Sequence, residues 1–376
     1  MDTDYFFCPR PDCPNHRLDL AGEDWFVRHG YHTTRAFGRV PRYRCRVCGK
    51  TFSDQTFLLN YWLKKKTDFD EFGKQINSSS SDNFVGRHFG YSADSVRIRH
   101  DRLARNALFL QALLTDSLSI EEPLVADGLE SYVLNQFFPI NLNILVGRKS
   151  QFVYYFTESH SKRKGRKTAE QEERCKWIYE DKSFEDCKIA LMFETLLQYL
   201  KGRCALSELI FHTDDLSIYR YVIEQWNLKA QTDTDMPTLT HVKTSSKEPR
   251  TPLNPLFAVN YLDRLIRKDM PNHRRETICQ ARNDRNLLSR FAYYVVTHNF
   301  FKPFRIYSGA KQTKARHCDK VVKAEDRLER WKDRLHEKRF FRSFVELPEY
   351  FESVWFRRTP TPLNAAPDPV PNFAYQ

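Results

Sequence analysis

Four cysteines near the start of the chain are spaced as metal ligands: four residues separate Cys8 from Cys13, and two separate Cys45 from Cys48. Each short pair can fold into a tight turn that aims two thiolates at one point, and a tetrahedral ion then joins the turns. Gly49, directly after the second pair, suits a turn that needs a positive φ. The pattern calls for a structural Zn²⁺ on Cys8, Cys13, Cys45 and Cys48. A second chemistry lies in the acids. Asp127 follows the apolar run 123–126 and Asp214 follows 209–213, so each is expected where a strand ends. Carboxylates on a rigid sheet edge suit Mg²⁺ or Mn²⁺. Two such ions activate a water or a 3′-hydroxyl and stabilise the leaving oxygen of a phosphodiester. Glu276, near the expected start of a long helix, is the candidate third ligand, with Asp215, Glu130 and His273 behind it. Singly, a strand-end Asp is equally well a turn residue; the ordered set carries the reading.

The elements that position these residues follow from pattern. Residues 1–60 read as short strands around the cysteines, with Arg35, Arg39, Arg42, Arg44, Arg46 and Lys50 interleaved with aromatics. Residues 61–115 change to helices: one over 68–76, a second short one holding Phe84, Val85 and Phe89, then a turn at Gly90 with Ser92 as the N-cap of a basic helix through 95–105. Short helix, glycine turn and capped basic helix are the grammar of helix-turn-helix DNA binding. Arg97, Arg99, Arg102 and Arg105 are the expected DNA contacts; a charged helical linker fits the same residues. From 120 to 310 the pattern is α/β, with strands at 123–128, 140–146, 152–156, 209–212 and 239–242. The second and third form a hairpin around 147–150. Residues 162–182 read as an exposed charged insertion. Helices are expected over 187–200, 218–226, 257–266 and 272–296. A helical extension over 311–358 carries a charged amphipathic helix at 320–338, and a Pro-rich disordered tail covers 359–376.

Composition agrees with a folded, polyanion-binding protein. Of 376 residues 41% are hydrophobic, enough for a substantial core, and the net charge is +12, which favours DNA or RNA as partner. No apolar run approaches the roughly 20 residues that span a bilayer. Acid at Asp2 and Asp4, where a secretory signal carries base, points to the cytoplasm and reduced cysteines. Cys175, Cys187, Cys204, Cys279 and Cys318, lacking close pairing, are expected as small buried hydrophobes.

The chain resembles DDE-type insertion-sequence transposases of the bacterial groups with an N-terminal zinc ribbon and helix-turn-helix. The segments that carry the resemblance are YRCRVCGKTF (43–52), ADGLES (126–131), NILVG (143–147), TDDLSIY (213–219), RET (275–277), ARN (281–283) and HNFFKPFRI (298–306), within roughly 5–307. The resemblance implies a ribonuclease-H-like mixed sheet, a catalytic divalent metal and strand transfer of the element's own ends by a dimer or larger synaptic assembly. It matches Asp127 to the first catalytic acid and Asp214 to the second. In some related elements the third acid directly precedes an Arg-Asn pair; here Ala281 holds that place before Arg282 and Asn283, and Glu276 lies upstream. Arg282, Arg290, Lys302 and Arg305 stand as DNA clamps or as partners of acids. A DNA-binding regulator that has lost chemistry, and a nuclease using the same acids with water alone, are the other classes this sequence allows.

Overall fold

The computed structural model describes residues 5–20, 22–245, 247–274, 277–304, 313–314, 325–363 and 370–376. The N-terminal part is a three-stranded antiparallel sheet, β1 (Phe26–Thr34), β2 (Gly38–Cys45) and β3 (Thr51–Ser53), in that order. Aromatic residues with high strand propensity hold it together. Trp25 stacks on Phe52 at 5.2 Å between ring centroids, and Phe6 stacks on Phe57 at 4.9 Å. The turn from β2 to β3 carries Cys45 and Cys48 and closes at Gly49, whose φ of 69° is left-handed, as the spacing predicts.

Three capped helices follow: α1 (Phe69–Ile76), α2 (Asp82–Phe89) and α3 (Ala93–Thr115). Asp68 accepts from the N–H groups of Asp70 and Glu71, Ser81 from Phe84, and Ser92 from Ser95. Gly90 ends α2 at φ 66°. Three helices thus form over this segment, but α3 runs ten residues beyond the expected Arg105, because the apolar stretch after it continues the helical period. Its C-terminal half belongs to the main core.

That core is built on a five-stranded sheet, β4 (Leu124–Tyr132), β5 (Pro139–Gly147), β6 (Val153–His160), β7 (Glu208–Asp214) and β8 (Thr238–Thr244), in the order β6-β5-β4-β7-β8. β4, β5 and β6 are antiparallel neighbours, while β4–β7 and β7–β8 are parallel. α4 (Ala169–Tyr179) and α5 (Ile189–Gln198) connect β6 to β7, and α6 (Ser217–Ala230) crosses from β7 to β8. α7 (Phe257–Asp269) and α8 (Asp284–Val296) follow the last strand, with α9 (Glu325–Arg334) and α10 (Glu349–Trp355) behind them. Ten α-helices are therefore found among the described residues.

Strand alternation divides the sheet into two faces. Phe211 of β7 meets Phe193 of α5 at 6.3 Å, and Phe193 meets Tyr219 of α6 at 4.4 Å, so α5 and α6 cover one face. Asp127, Ile144 and Phe156 are paired across β4, β5 and β6 and share the opposite face, where Phe156 meets Phe291 of α8 at 4.9 Å. Asn299, in the π-turn 297–301 that extends α8, bonds Val153 through both its oxygen and its nitrogen and reaches Gln111 of α3. Asp101 of α3 accepts from Ser289 of α8 and from Arg357. A continuous buried cluster runs from Tyr5 to Trp355, so the helical segment expected as a separate module over 61–115 shares its core with the sheet.

Three expectations change. Residues 162–182 are not a bare loop: Thr168 and Gln171 form a capping box for α4. The helix expected from Asn272 begins only at Asp284, because Asn283, itself extended, caps it by accepting from the Asn286 N–H. The chain end is not free: within 370–376, Ala374 is buried and its carbonyl accepts from the Trp355 indole at 2.8 Å.

Candidate metal centre and acidic site

The four cysteine sulfurs converge. Their Sγ atoms all lie within 4.8 Å of one another, with Cys8 and Cys48 at 3.3 Å and Cys13 and Cys45 at 3.8 Å. A tetrahedron with Zn–S bonds of about 2.3 Å has edges of about 3.8 Å, so the cluster has the size a structural zinc needs. Local hydrogen bonds build each turn: Cys13 N–H to Arg10 O, Gly49 N–H to Cys45 O, and Cys45 N–H to Lys50 O. Burial raises the Cys8 thiol. At Cys45 burial acts the same way but is outweighed by hydrogen bonds from the Cys48 and Val47 backbone and the Asn15 amide, which bring it down to about 7. Of the remaining cysteines, Cys175 and Cys187 are buried, Cys204 and Cys279 are half-buried, and Cys318 lies outside the described residues.

The acids meet on the sheet face under α7. Asp127 is not at the end of its strand; it sits mid-way along β4, which runs on to Tyr132. Asp214 is the last residue of β7. The parallel pairing of Leu124 with Phe211 and Val125 with His212, continued at the same offset, sets Asp127 level with Asp214. Asp214 Oδ1 accepts the Leu216 N–H at 3.0 Å, which fixes the entry to α6. Asp127 Oδ1 accepts the Gly128 N–H at 2.7 Å. A Cβ at Gly128 would come 3.1 Å from the Tyr219 hydroxyl, so glycine leaves room for Tyr219 there.

A third acid joins this pair. Asp263, on α7, has its pKa raised to about 8, first by burial and then by the negative charge of Asp127. Asp127 is raised to about 6 by burial and then by Asp214. All three acids push Tyr219 up, after burial. Each of the three is only half-buried, so each is open to solvent on one side. Asp263 Oδ1 has no hydrogen-bond partner. Uncompensated carboxylates facing one another are what a divalent cation neutralises. Arg250, exposed at the rim, is the cation that opposes the shifts of both Asp127 and Asp263.

The other expected acid-site residues fall differently. Glu276, together with Arg275, lies outside the described residues, as does Arg305. Asp215 and Glu130 are exposed, and Glu130 offers its carbonyl to Arg267. His273 is fully buried against Phe291, and burial pushes its pKa down to about 3, so it stands as a neutral imidazole in the core. Asp263 was missed because it reads as an ordinary charged position in an amphipathic helix, Phe257–Asp269; its place on the helix directly after the last strand was the available signal.

The basic residues of α3 need correction. Arg99, Arg102 and Arg105 are buried, and their guanidinium groups point inward. Arg99 donates to Thr67 Oγ1 at 2.7 Å and lies 3.8 Å from the Tyr91 ring centroid. Arg102 donates to Leu59 O at 2.8 Å, and Arg105 to Trp355 O at 3.2 Å. Arg97 is half-exposed, with Asp94 at 3.9 Å and Asp101 at 3.7 Å. Arg290 is likewise buried, donating to Ile76 and Ser80 carbonyls, Lys302 pairs with Asp269, and Arg282 is exposed. The free positive surface lies elsewhere. A groove of about 1040 Å³ between the small sheet and residues 61–65 is lined by His32, Arg35, Arg42, Trp62, Lys64 and Lys65. Trp62 is 78% exposed there, an indole face presented beside cations.

Fold and site together define an α/β protein with a five-stranded mixed sheet that carries Asp127 level with Asp214 and Asp263 in electrostatic reach of Asp127, joined to a small antiparallel sheet with a four-cysteine cluster that can hold a metal ion. Among the described residues no helix is long and apolar enough to cross a membrane. No family model matches the chain, and no curated protein matches it in sequence.

Proposed function

We propose that this protein is a DDE-type DNA transposase with a ribonuclease-H-like catalytic sheet, and that Asp127, Asp214 and Asp263 are its acids. One observation carries the reading: two aspartates stand level on adjacent parallel strands, and an aspartate from the helix after the last strand lies in electrostatic reach of the first. The strand order β6-β5-β4-β7-β8, antiparallel on one side of β4 and parallel on the other, supports the fold assignment. A purely structural role leaves two carboxylates raised by burial, Asp127 and Asp263, beside a third acid without a reason, because burying like charges costs stability.

Asp127 and Asp214, with Asp263 beside Asp127, would hold Mg²⁺ or Mn²⁺, which would supply Lewis-acid activation of the attacking oxygen and stabilisation of the leaving one. The protein's own part is positioning. The sheet holds Asp127 and Asp214 on fixed strands, and Asp263 is held by the packing of Val259, Leu262 and Ile266. Arg250 offers a guanidinium beside the acids, suited to a two-point grip on the scissile phosphate. The four cysteines, with structural Zn²⁺, hold the small sheet rigid. Its groove then presents Arg35, Lys64 and Lys65 to backbone phosphates and Trp62 to a base. Joining two DNA ends at once requires a dimer or larger assembly in the cytoplasm.

The test is strand cleavage and joining on labelled DNA carrying the sequences that flank this reading frame, with Mg²⁺ or Mn²⁺. Asp127→Asn, Asp214→Asn and Asp263→Asn each lower both steps by at least about a hundredfold while DNA binding is kept. Loss in Glu276→Gln with full activity in Asp263→Asn moves the third acid to Glu276. Cleavage without joining identifies a nuclease. Specific end binding by a wild type with no cleavage identifies a regulator.

A further inference from the structure

Besides the cysteines, one more set of metal-type donors converges among the described residues. Glu158 and His160 are two apart on β6, so both leave the sheet on the same face. Asp284 is the first residue of α8, where Asn283 caps the helix and Asp284 Oδ1 accepts the Arg285 N–H. His160 Nε2 lies 3.1 Å from Glu158 Oε1 and 3.5 Å from Asp284 Oδ2, and one donor atom from each of the three lies within 4.8 Å of the others. None of the three is more than 2% exposed. Glu158 Oε2 and Asp284 Oδ2 have no hydrogen-bond partner.

A proton on His160 alone does not satisfy this arrangement. His160 Nε2 carries at most one hydrogen, and 3.5 Å to Asp284 is beyond an ordinary N–H···O bond. Two carboxylates in a dry interior beside one imidazole leave a negative charge with expensive, incomplete compensation. An ion satisfies it. Donors around a tetrahedral zinc, with bonds of about 2.0–2.1 Å, stand about 3.3–3.4 Å apart, between the two separations seen here. One imidazole nitrogen and two carboxylate oxygens are donors zinc accepts, and a dication cancels both carboxylate charges. Mg²⁺ retains several waters in an octahedral shell, for which this packed interior has no place. We propose that Glu158, His160 and Asp284 hold a second zinc ion, buried between β6 and the start of α8, separate from the cysteine cluster and from the sheet-face acids. It pins an edge strand of the large sheet to the helix that also grips α3 through Ser289 and Asp101.

The test is metal content of the full chain, purified with zinc present and no added Mg²⁺ or Mn²⁺, by elemental analysis and native mass spectrometry. Two zinc ions per chain are expected. The Cys45→Ser/Cys48→Ser protein keeps one, and the Glu158→Gln/Asp284→Asn protein, nearly isosteric, keeps one. Cobalt in the cysteine variant gives d–d absorption without sulfur charge transfer, and adding Asp284→Asn removes it. Two ions retained by Glu158→Gln/Asp284→Asn overturn the proposal, as does a wild type whose whole metal content disappears with the cysteines. If the amide variant does not fold, the wild-type stoichiometry and the cobalt spectrum decide alone.

Discussion

The cysteine cluster and the sheet-face acids are opposite solutions to gathering charged donors. The cysteines come as two short pairs, each shaped by its own turn, and one hairpin brings the turns together. The acids come singly from residues 127, 214 and 263, and only the pairing of β4 with β7 and the docking of α7 bring them face to face. The energetic sign differs as well. A metal in the cysteine cluster is folding energy for a small sheet with little core of its own. The aspartates cost stability until a cation arrives, because burial and their mutual repulsion raise two of them.

The largest effect expected from this contrast is at the cysteines. Cys45→Ser with Cys48→Ser, or a strong chelator, removes on the order of 10 kcal/mol of coupled metal binding and folding. Limited proteolysis then cuts within residues 5–57 while the large sheet stays protected. Equal protection with and without chelator breaks the contrast.

At the acids the direction reverses. Asp263→Asn abolishes activity yet stabilises the metal-free protein, by roughly 1–3 kcal/mol at pH 8 after allowing for solvent screening. The sign follows from linkage. With a folded pKa of about 8 against about 3.8 unfolded, the native state holds the extra proton between those values. Stability from this group is full below about pH 4 and is lost as pH rises through about 8. Melting curves of metal-free protein from about pH 5 to 8 should therefore fall more steeply for wild type than for Asp263→Asn; parallel curves would place Asp263 in an ordinary solvated setting.

The two kinds of basic residue sharpen the picture at lower energy. Arg102→Ala is expected to cost roughly 2–3 kcal/mol, through the abandoned Leu59 carbonyl and poorer packing. It should leave the salt dependence of DNA binding unchanged in the folded fraction. Arg35→Ala with Lys64→Ala should do the reverse. Stability stays within about 0.5 kcal/mol, while the slope of log affinity against log salt shrinks by about 0.9 for each phosphate no longer neutralised. A melting change in the second variant, or a slope change in the first, would exchange their roles.

The contrast also explains what was legible. The cysteine spacing, the Gly49 turn and the Ser92 cap are written within a few neighbouring residues, and the structure has each of them. The five strands of the large sheet were readable from apolar runs, although β4 continues past Asp127 because Leu129 and the residues after it still pair with β5. Arg99, Arg102 and Arg105 misled because three-residue spacing marks one helical face without saying where it points. That face turned inward since each guanidinium found an oxygen acceptor to satisfy it. The late start of α8 was hidden for a related reason: an asparagine within a charged stretch reads as helix surface until its side chain is seen capping Asn286.

By itself, then, the sequence determined the two cysteine turns, the Ser92 start of α3, and the strands of the large sheet with Asp127 and Asp214 on them, because turn, cap and strand preferences act over a few residues. Only the tertiary structure decided that Asp263 faces Asp127, that the basic face of α3 is interior, and that Glu158 and His160 meet Asp284. Those outcomes depend on strand register and on helix docking between residues tens to more than a hundred positions apart, where the free energy lies in burial and charge compensation rather than in local conformation.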